Sequence, residues 1–135
     1  MMTLTVEVDP KGRRARLKRV AAAVDSGEAV NPDGIENQIE GGIVQSASLT
    51  LHERVVFDRM RVTSRDWSSY PILRFSEIPD EVRVHVLNQP GMPFLGTGEA
   101  AQGPTAAAIA NAIADATGKR LRDIPLRQMT GNPER

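Results

Sequence analysis

The chain of 135 residues carries 17 basic and 17 acidic side chains, is 40% hydrophobic and contains no cysteine. Balanced charge gives no electrostatic reason to expect nucleic acid or an anionic membrane as a partner, and the lack of cysteine excludes disulfides, thiolate-ligated iron–sulfur clusters and a cysteine nucleophile. The length suits one domain that buries roughly two thirds of its unfolded surface. No apolar run reaches the ~18 residues a bilayer span needs, and no signal-like segment opens the chain. A cytoplasmic location is the resulting expectation, with the periplasm as the alternative for a larger assembly.

Residues 3–8 alternate with period two, and Asp9-Pro10-Lys11-Gly12 supplies a turn in which Pro sets φ and Gly allows positive φ. Residues 13–24 alternate again before the apolar run from Val20 to Val24, which predicts a β-hairpin whose second strand enters the interior. Lys11, Arg13, Arg14, Arg16, Lys18 and Arg19 make this strand locally basic, and their alternation reads as one solvated face. Asn31, Pro32 and Asp33 are an N-cap, a first-turn proline and a dipole-matched acid. Ile35, Ile39 and Ile43 then mark one stripe of a helix running to about Leu51. Gly41 and Gly42 interrupt it at a cost of about 2 kcal/mol relative to alanine. Tight packing and close approach of a ligand or second domain explain that pair equally well.

Residues 54–63 read as a second hairpin with Val55, Phe57 and Val62 buried. Residues 64–80, with Trp67, Tyr70-Pro71 and Ile78-Pro79, are irregular. Val82, Val84 and Val86 mark a strand over 81–87, with His85 on its other face. His52 and His85 are far apart and lack a zinc-ligand pattern. A Pro/Gly-rich loop of about a dozen residues follows Asn88, long enough to suggest function. The last helix starts near Gly103-Pro104, buries Ile109 and Ile113 beside Ala106 and Ala110, and stops at Gly118. Residues 127–135 form a polar, loose tail. With no βαβ rhythm, the fold class is α+β, a small mixed sheet packed with two main helices.

One carboxylate stands out. Glu99 lies between the glycines of Gly96-Thr97-Gly98 and the start of the last helix. Glycines let a backbone approach a ligand closely, and free N–H groups at a turn and helix start hold anions. A carboxylate beside such a cradle suits a general base next to an anionic cofactor. The plainer reading is an acid complementing the helix dipole, worth about 0.5 kcal/mol.

Several motifs occur in one order: Val24-Asp25-x-Gly27-x-x-Val30-Asn31-Pro32, Gln38-Ile-Glu-Gly-Gly, Tyr70-Pro-Ile-Leu-Arg74, Gly98-Glu99-Ala-Ala, Pro104-x-Ala-x-Ala-x-Ala-Asn-Ala-Ile and Thr117-Gly-Lys-Arg-Leu-Arg. Together, over about residues 3–126, they resemble the C-terminal part of the molybdopterin-binding large subunit of molybdenum hydroxylases, the xanthine dehydrogenase and aldehyde oxidase family, with the isoquinoline 1-oxidoreductase β-subunit type nearest in character. The resemblance implies a molybdopterin cofactor, in bacteria usually the molybdenum cytosine dinucleotide. It implies that Glu99 is the catalytic base, that Gln38 contacts the pterin, and that Gly96, Thr97 and Gly98 lie along the cofactor. No protein residue is implied as a metal ligand. The activity implied is hydroxylation of aldehydes or N-heteroaromatic compounds, with the remaining large-subunit domains and an iron–sulfur small subunit as partners. Family subunits are several times longer, so the chain holds the base and part of the cradle, is not an enzyme by itself, and carries no cofactor alone. A non-catalytic assembly domain, a truncated remnant and a small-ligand module using the 96–98 loop are the competing readings. Met92-Pro-Phe-Leu95, ahead of the Gly-Thr-Gly-Glu run, departs from the family's pattern and bears on substrate access. Arg74 is expected to pair with Glu77 on the surface. Faces that meet missing domains, at 41–49 and 92–95, are expected to be apolar, exposed and prone to self-association.

Overall fold

A computed structural model of the chain describes residues 2–8 and 15–126. The expected turn at 9–12, Lys11, Arg13 and Arg14 of the basic cluster and the tail at 127–135 lie outside the described residues. Strand β1 (Met2–Val8) pairs antiparallel with β2 (Ala15–Asp25), and β2 pairs parallel with β3 (Glu81–Leu87), giving the order β1-β2-β3. The mixed sheet is as expected, but the parallel pair makes a crossover of β2, the first long helix and β3. The long irregular stretch after that helix hides the βαβ rhythm in the sequence.

The β1–β2 register slips between Thr5, which faces Arg19, and Val6, which faces Leu17. Lys18 is thereby the extra residue of a bulge, so Leu17 and Val20, three apart, both point inward. Lys18 reaches Glu7 at 3.2 Å and Asp80 at 3.1 Å, and Arg16 reaches Asp80 at 2.8 Å. Hydrogen bonds to Asp80 and then Glu7 raise the Lys18 pKa, and the bond to Lys18 lowers that of Asp80. These cations are part of an exposed ion-pair network on the strand, where solvent screens each pair.

Helix α1 (Pro32–Leu51) begins as its cap chemistry predicts: the Asn31 side chain accepts the Gly34 N–H at 3.0 Å, and Pro32 sits in the first turn. Helix α2 (Gln102–Thr117) ends on Gly118, whose φ of +70° is the left-handed cap that glycine adopts freely. α2 lies against β1 and α1, and α1 against β3, so both helices cover one face of the sheet. Leu17, Ala47, Leu51, Ile109, Ile113 and Leu126 fill one end of this layer. Val20, Ala22, Ile39, Ile43 and Ala101 fill the other. The opposite face carries Arg19, Arg83 and the exposed His85.

Two expectations are corrected. The 54–63 hairpin is reduced to a single bridge between Phe57 and Val62, and Val55, Phe57 and Val62 are exposed rather than buried. Alternation marks an apolar side of a chain, but among the described residues no element covers that side. Arg74 meets Glu77 through its backbone N–H, 3.2 Å from the carboxylate, at a one-turn 3-10 helix over Phe75–Glu77. The other Glu77 oxygen lies 3.8 Å from Nε2 of His52.

Candidate functional site

The Glu99 turn is a short stretch between a loop and a helix. The Ala100 N–H donates to the Thr97 carbonyl at 3.4 Å, and the Gln102 N–H to the Glu99 carbonyl at 3.1 Å. Thr105 closes the first turn of α2 on the Ala101 carbonyl at 3.1 Å. Within this stretch the environment changes over two residues. Glu99 is exposed, and among the described residues no hydrogen bond or ion pair holds its carboxylate. Ala101 is buried in the core with Val20, Ile39 and Ile43.

Gln38, distant in sequence, comes to the same place. A Cβ added to Gly98 would stand 3.9 Å from its Nε2, whereas one added to Gly96 would meet nothing within 4 Å. The bare backbone at Gly98 therefore lies beside an exposed side-chain amide and next to an exposed carboxylate. Thr97 is partly buried between the two glycines.

The glycine pair of α1 divides the two explanations open to it. A Cβ on Gly42 would approach that of Ala101 to 3.1 Å, so Gly42 is a packing glycine. One on Gly41 would meet nothing within 4 Å. Gly41 instead opens on a groove of about 630 Å³ lined by residues of α1 together with Ile78, Pro79 and Val82. A second, smaller cavity of about 190 Å³ lies at the carboxyl end of β2, between Asp25, Ile39 and the start of α2. Ligands of parallel sheets characteristically bind at that end of the strands.

The loop that delivers the site is stitched to the β2–α1 connection. The Leu95 N–H donates to the Ser26 carbonyl at 2.8 Å, the Gln89 N–H to that of Gly27 at 3.0 Å, and the Ala29 N–H to the Asn88 side chain at 2.9 Å. Gly27 has φ +77°, and a Cβ there would fall 2.0 Å from the Pro93 carbonyl oxygen. Glycine is thus required twice over, by conformation and by space. Ser26 is buried, and its hydroxyl is the one buried side-chain polar atom without a hydrogen-bond partner among the described residues. The backbone stitching leaves Met92, Phe94 and Leu95 exposed, as expected for 92–95. Along 41–49, Leu49 is the exposed large apolar residue. The largest exposed apolar stretch, 55–75, is missing from the sequence expectations.

Among the described residues, no three His, Cys, Asp or Glu side chains come together as a metal site. No described helix is long and apolar enough to cross a membrane. What this end of the molecule offers is a carboxylate, an amide and open backbone.

Residues 1–79 match the family of the molybdopterin cofactor-binding domain. The chain belongs to that family. It is 45% identical over 121 residues to a nicotinate dehydrogenase subunit of Pseudomonas putida, a match covering 90% of this chain and 10% of that protein. It is 37% identical over 112 residues to the β-subunit of isoquinoline 1-oxidoreductase from Brevundimonas diminuta, covering 82% and 14%. The molybdopterin-binding domain superposes on the crystal structure of quinoline 2-oxidoreductase from Pseudomonas putida 86 with a TM-score of 0.78 at 29% identity, over 90% of this chain and 16% of that one. Aldehyde oxidoreductase from Desulfovibrio gigas gives 0.72 at 29% identity, over 86% and 13%. The chain spans about a tenth to a sixth of the length of these proteins. The α+β architecture is that of the matching region.

The site residues beyond this family assignment that sequence reasoning passed over are Ser46, Gln45 and Gln102. Ser46 donates to the Gln102 carbonyl at 2.7 Å, and the Gln102 side chain donates to Gln45 at 2.8 Å. Their signal is faint: small or polar residues at Gln38, Gly42, Gln45 and Ser46 repeat at helical spacing on one side of α1.

Proposed function

We propose that this domain supplies the general base and part of the pterin cradle of a molybdenum hydroxylase acting on aldehydes or N-heteroaromatic compounds. The observation that carries the reading is the meeting of Gln38 with the bare backbone at Gly98, beside the exposed carboxylate of Glu99. The residues fit the cofactor. Gly96 and Gly98 leave main chain open to a flat, anionic, hydrogen-bonding group, and Gln38 presents both a donor and an acceptor to it. When bound, the molybdenum cofactor, in its cytosine dinucleotide form on this reading, supplies the redox chemistry of hydroxylation.

The chain's own part is proton handling and placement. An oxygen of the Glu99 carboxylate accepts the proton released as the substrate is attacked. Base catalysis of this kind contributes about 10²- to 10⁴-fold. Gln38 orients the cofactor edge through its amide, and Gly96, Thr97 and Gly98 bring the main chain alongside. Relatives of greater length and the apolar exposure at 55–75 and 92–95 support a role for the remaining large-subunit domains as covering partners. An iron–sulfur subunit would carry electrons away. Alone, the domain would hold no cofactor and would self-associate through the uncovered faces.

The test is co-expression with neighbouring coding regions, then metal analysis and a hydroxylase assay of the purified assembly. Glu99→Gln is expected to lower turnover about 10²- to 10⁴-fold with metal content unchanged. A metal-loaded, fully active Glu99→Gln assembly would remove the base assignment.

A further inference from the structure

The Glu99 turn is held internally by two main-chain hydrogen bonds, a long one of 3.4 Å and an ordinary one of 3.1 Å, and its acid is exposed. A general base must nonetheless be placed to within a few tenths of an ångström of its target. The contacts that fasten this segment come largely from outside the turn. Three neighbouring positions of α1 grip the junction between the turn and α2. Gly42 lets the Ala101 methyl come within the space its own Cβ would contest at 3.1 Å. The buried Ser46 hydroxyl donates to the Gln102 carbonyl at 2.7 Å. Gln45 accepts from the Gln102 side chain at 2.8 Å. Gln38 lies one helical turn before Gly42 on the same side. One rigid helix therefore carries both the amide facing Gly98 and the fastening of the segment that bears Glu99.

Local preference argues against these residues being filler. Glycine is the poorest ordinary helix former, and serine inside a helix competes with the backbone for hydrogen bonds. Alanine at either position would favour α1. At 42 it would press on Ala101, and at 46 it would release the Gln102 carbonyl.

We propose that Gly42 and Ser46 are positioning residues that set the spacing between Gln38 and Glu99. This rests on the reading of Glu99 as the base. The experiment uses the 135-residue chain for backbone hydrogen exchange and the assembled enzyme for kinetics, with Gly42→Ala, Ser46→Ala and the double variant Gly42→Ala with Ala101→Gly. The double variant moves the methyl group across the contact and restores the spacing. Gly42→Ala and Ser46→Ala are expected to speed exchange of the Gln102 amide, leaving Val84 in the sheet unchanged. Each is expected to lower kcat about tenfold, with KM moving less than about twofold. The double variant is expected to recover both exchange and kcat. If Glu99→Gln is inactive while Gly42→Ala and Ser46→Ala keep full kcat and wild-type exchange, the positioning role fails alone. A double variant as impaired as Gly42→Ala also overturns it. If Glu99→Gln keeps full turnover, the base assignment fails and takes the positioning role with it.

Discussion

Two irregular segments flank the helical layer, residues 88–101 ahead of α2 and residues 52–80 between α1 and β3. The first is tied to the β2–α1 connection through main chain and side chains alike. Its carbonyls and N–H groups pair with the 25–29 connection, a glycine admits the Pro93 carbonyl, and Ala101 enters the core. The second is held on itself, by side-chain bonds to its own backbone together with main-chain bonds such as that from the Thr63 N–H to the Val56 carbonyl at 2.7 Å. Asp58 accepts the N–H groups of Met60 and Arg61 at 2.7 and 2.9 Å, and Asp66 accepts those of Ser68 and Ser69 at 3.1 and 2.8 Å. At its base, Tyr70 donates to Glu53 at 2.7 Å, Ser48 donates to the same carboxylate, and the Leu73 N–H donates to Ser48 at 3.0 Å. Its apolar side chains point outward, with Phe57 74%, Met60 90% and Phe75 88% exposed. Asp58, Asp66, Ser68 and Ser69 are exposed as well, so the segment leaves both its polar clasps and its apolar side chains at the surface. An exposed apolar stretch of this size on a well-bonded segment is a surface suited to contact with another protein body. On the proposed function, the first segment presents chemistry and the second presents an adhesive face.

The sharpest way to break this contrast is a pair of truncations. Ile43 of α1 is fully buried in a cluster with Val20, Ala22, Ile39 and Ala101. Ile43→Ala is expected to cost about 2–5 kcal/mol of unfolding free energy. Phe57→Ser, on the adhesive face, is expected to change stability by less than about 0.5 kcal/mol and to reduce self-association. Urea denaturation and sedimentation velocity measure the two effects. Equal destabilisation by both would mean that the 52–80 segment packs inward after all.

A smaller effect is expected from Gly27→Ala, which tests whether the first segment depends on main-chain fit. The substitution meets both a positive φ and the Pro93 oxygen. Strain of this kind costs about 1–3 kcal/mol. Loop amides at Gln89 and Leu95, which donate to Gly27 and Ser26, should lose exchange protection before the sheet does. Unchanged protection there would show that the stitching does not depend on Gly27.

The contrast also explains what is legible in the sequence. Both helix ends of interest are local chemistry: Asn31-Pro32-Asp33 writes the start of α1, and Gly118 writes the end of α2. The β1–β2 pair is local as well. The β2–β3 pair joins strands far apart in sequence, and the bulge at Lys18 depends on register, so neither leaves a short-range mark. Glu99 has a visible setting in its glycine turn, whereas Gln38 has none, being an exposed glutamine on a helix. It is reached only through the family resemblance, and its place against Gly98 appears only in three dimensions. Val55, Phe57 and Val62 mislead because an alternating apolar pattern does not by itself specify an element of the same domain to cover it.

The finest test separates the two segments by pH. The carboxyl of Asp66 is lowered to about 2, first by the Ser68 hydroxyl and then by the Ser69 backbone N–H and hydroxyl. A depressed carboxyl contributes stability that is present above its unfolded value of 3.8 and is lost as pH falls through about 2. The sole tryptophan, Trp67, adjoins Asp66 and is the natural reporter. Its emission is expected to change between about pH 4 and pH 2, and Asp66→Asn should abolish that transition while leaving the far-ultraviolet circular dichroism of the helices unchanged at neutral pH. The Tyr70 pKa is raised from 10.0, chiefly by its bond to Glu53, so that clasp is fully present below 10.0 and is lost only as pH rises through the raised value. A Trp67 transition that coincides with loss of helix signal at every pH would show that 52–80 and the helical layer melt as one unit. Separate transitions would show that the adhesive segment is fastened independently, by its own carboxylates.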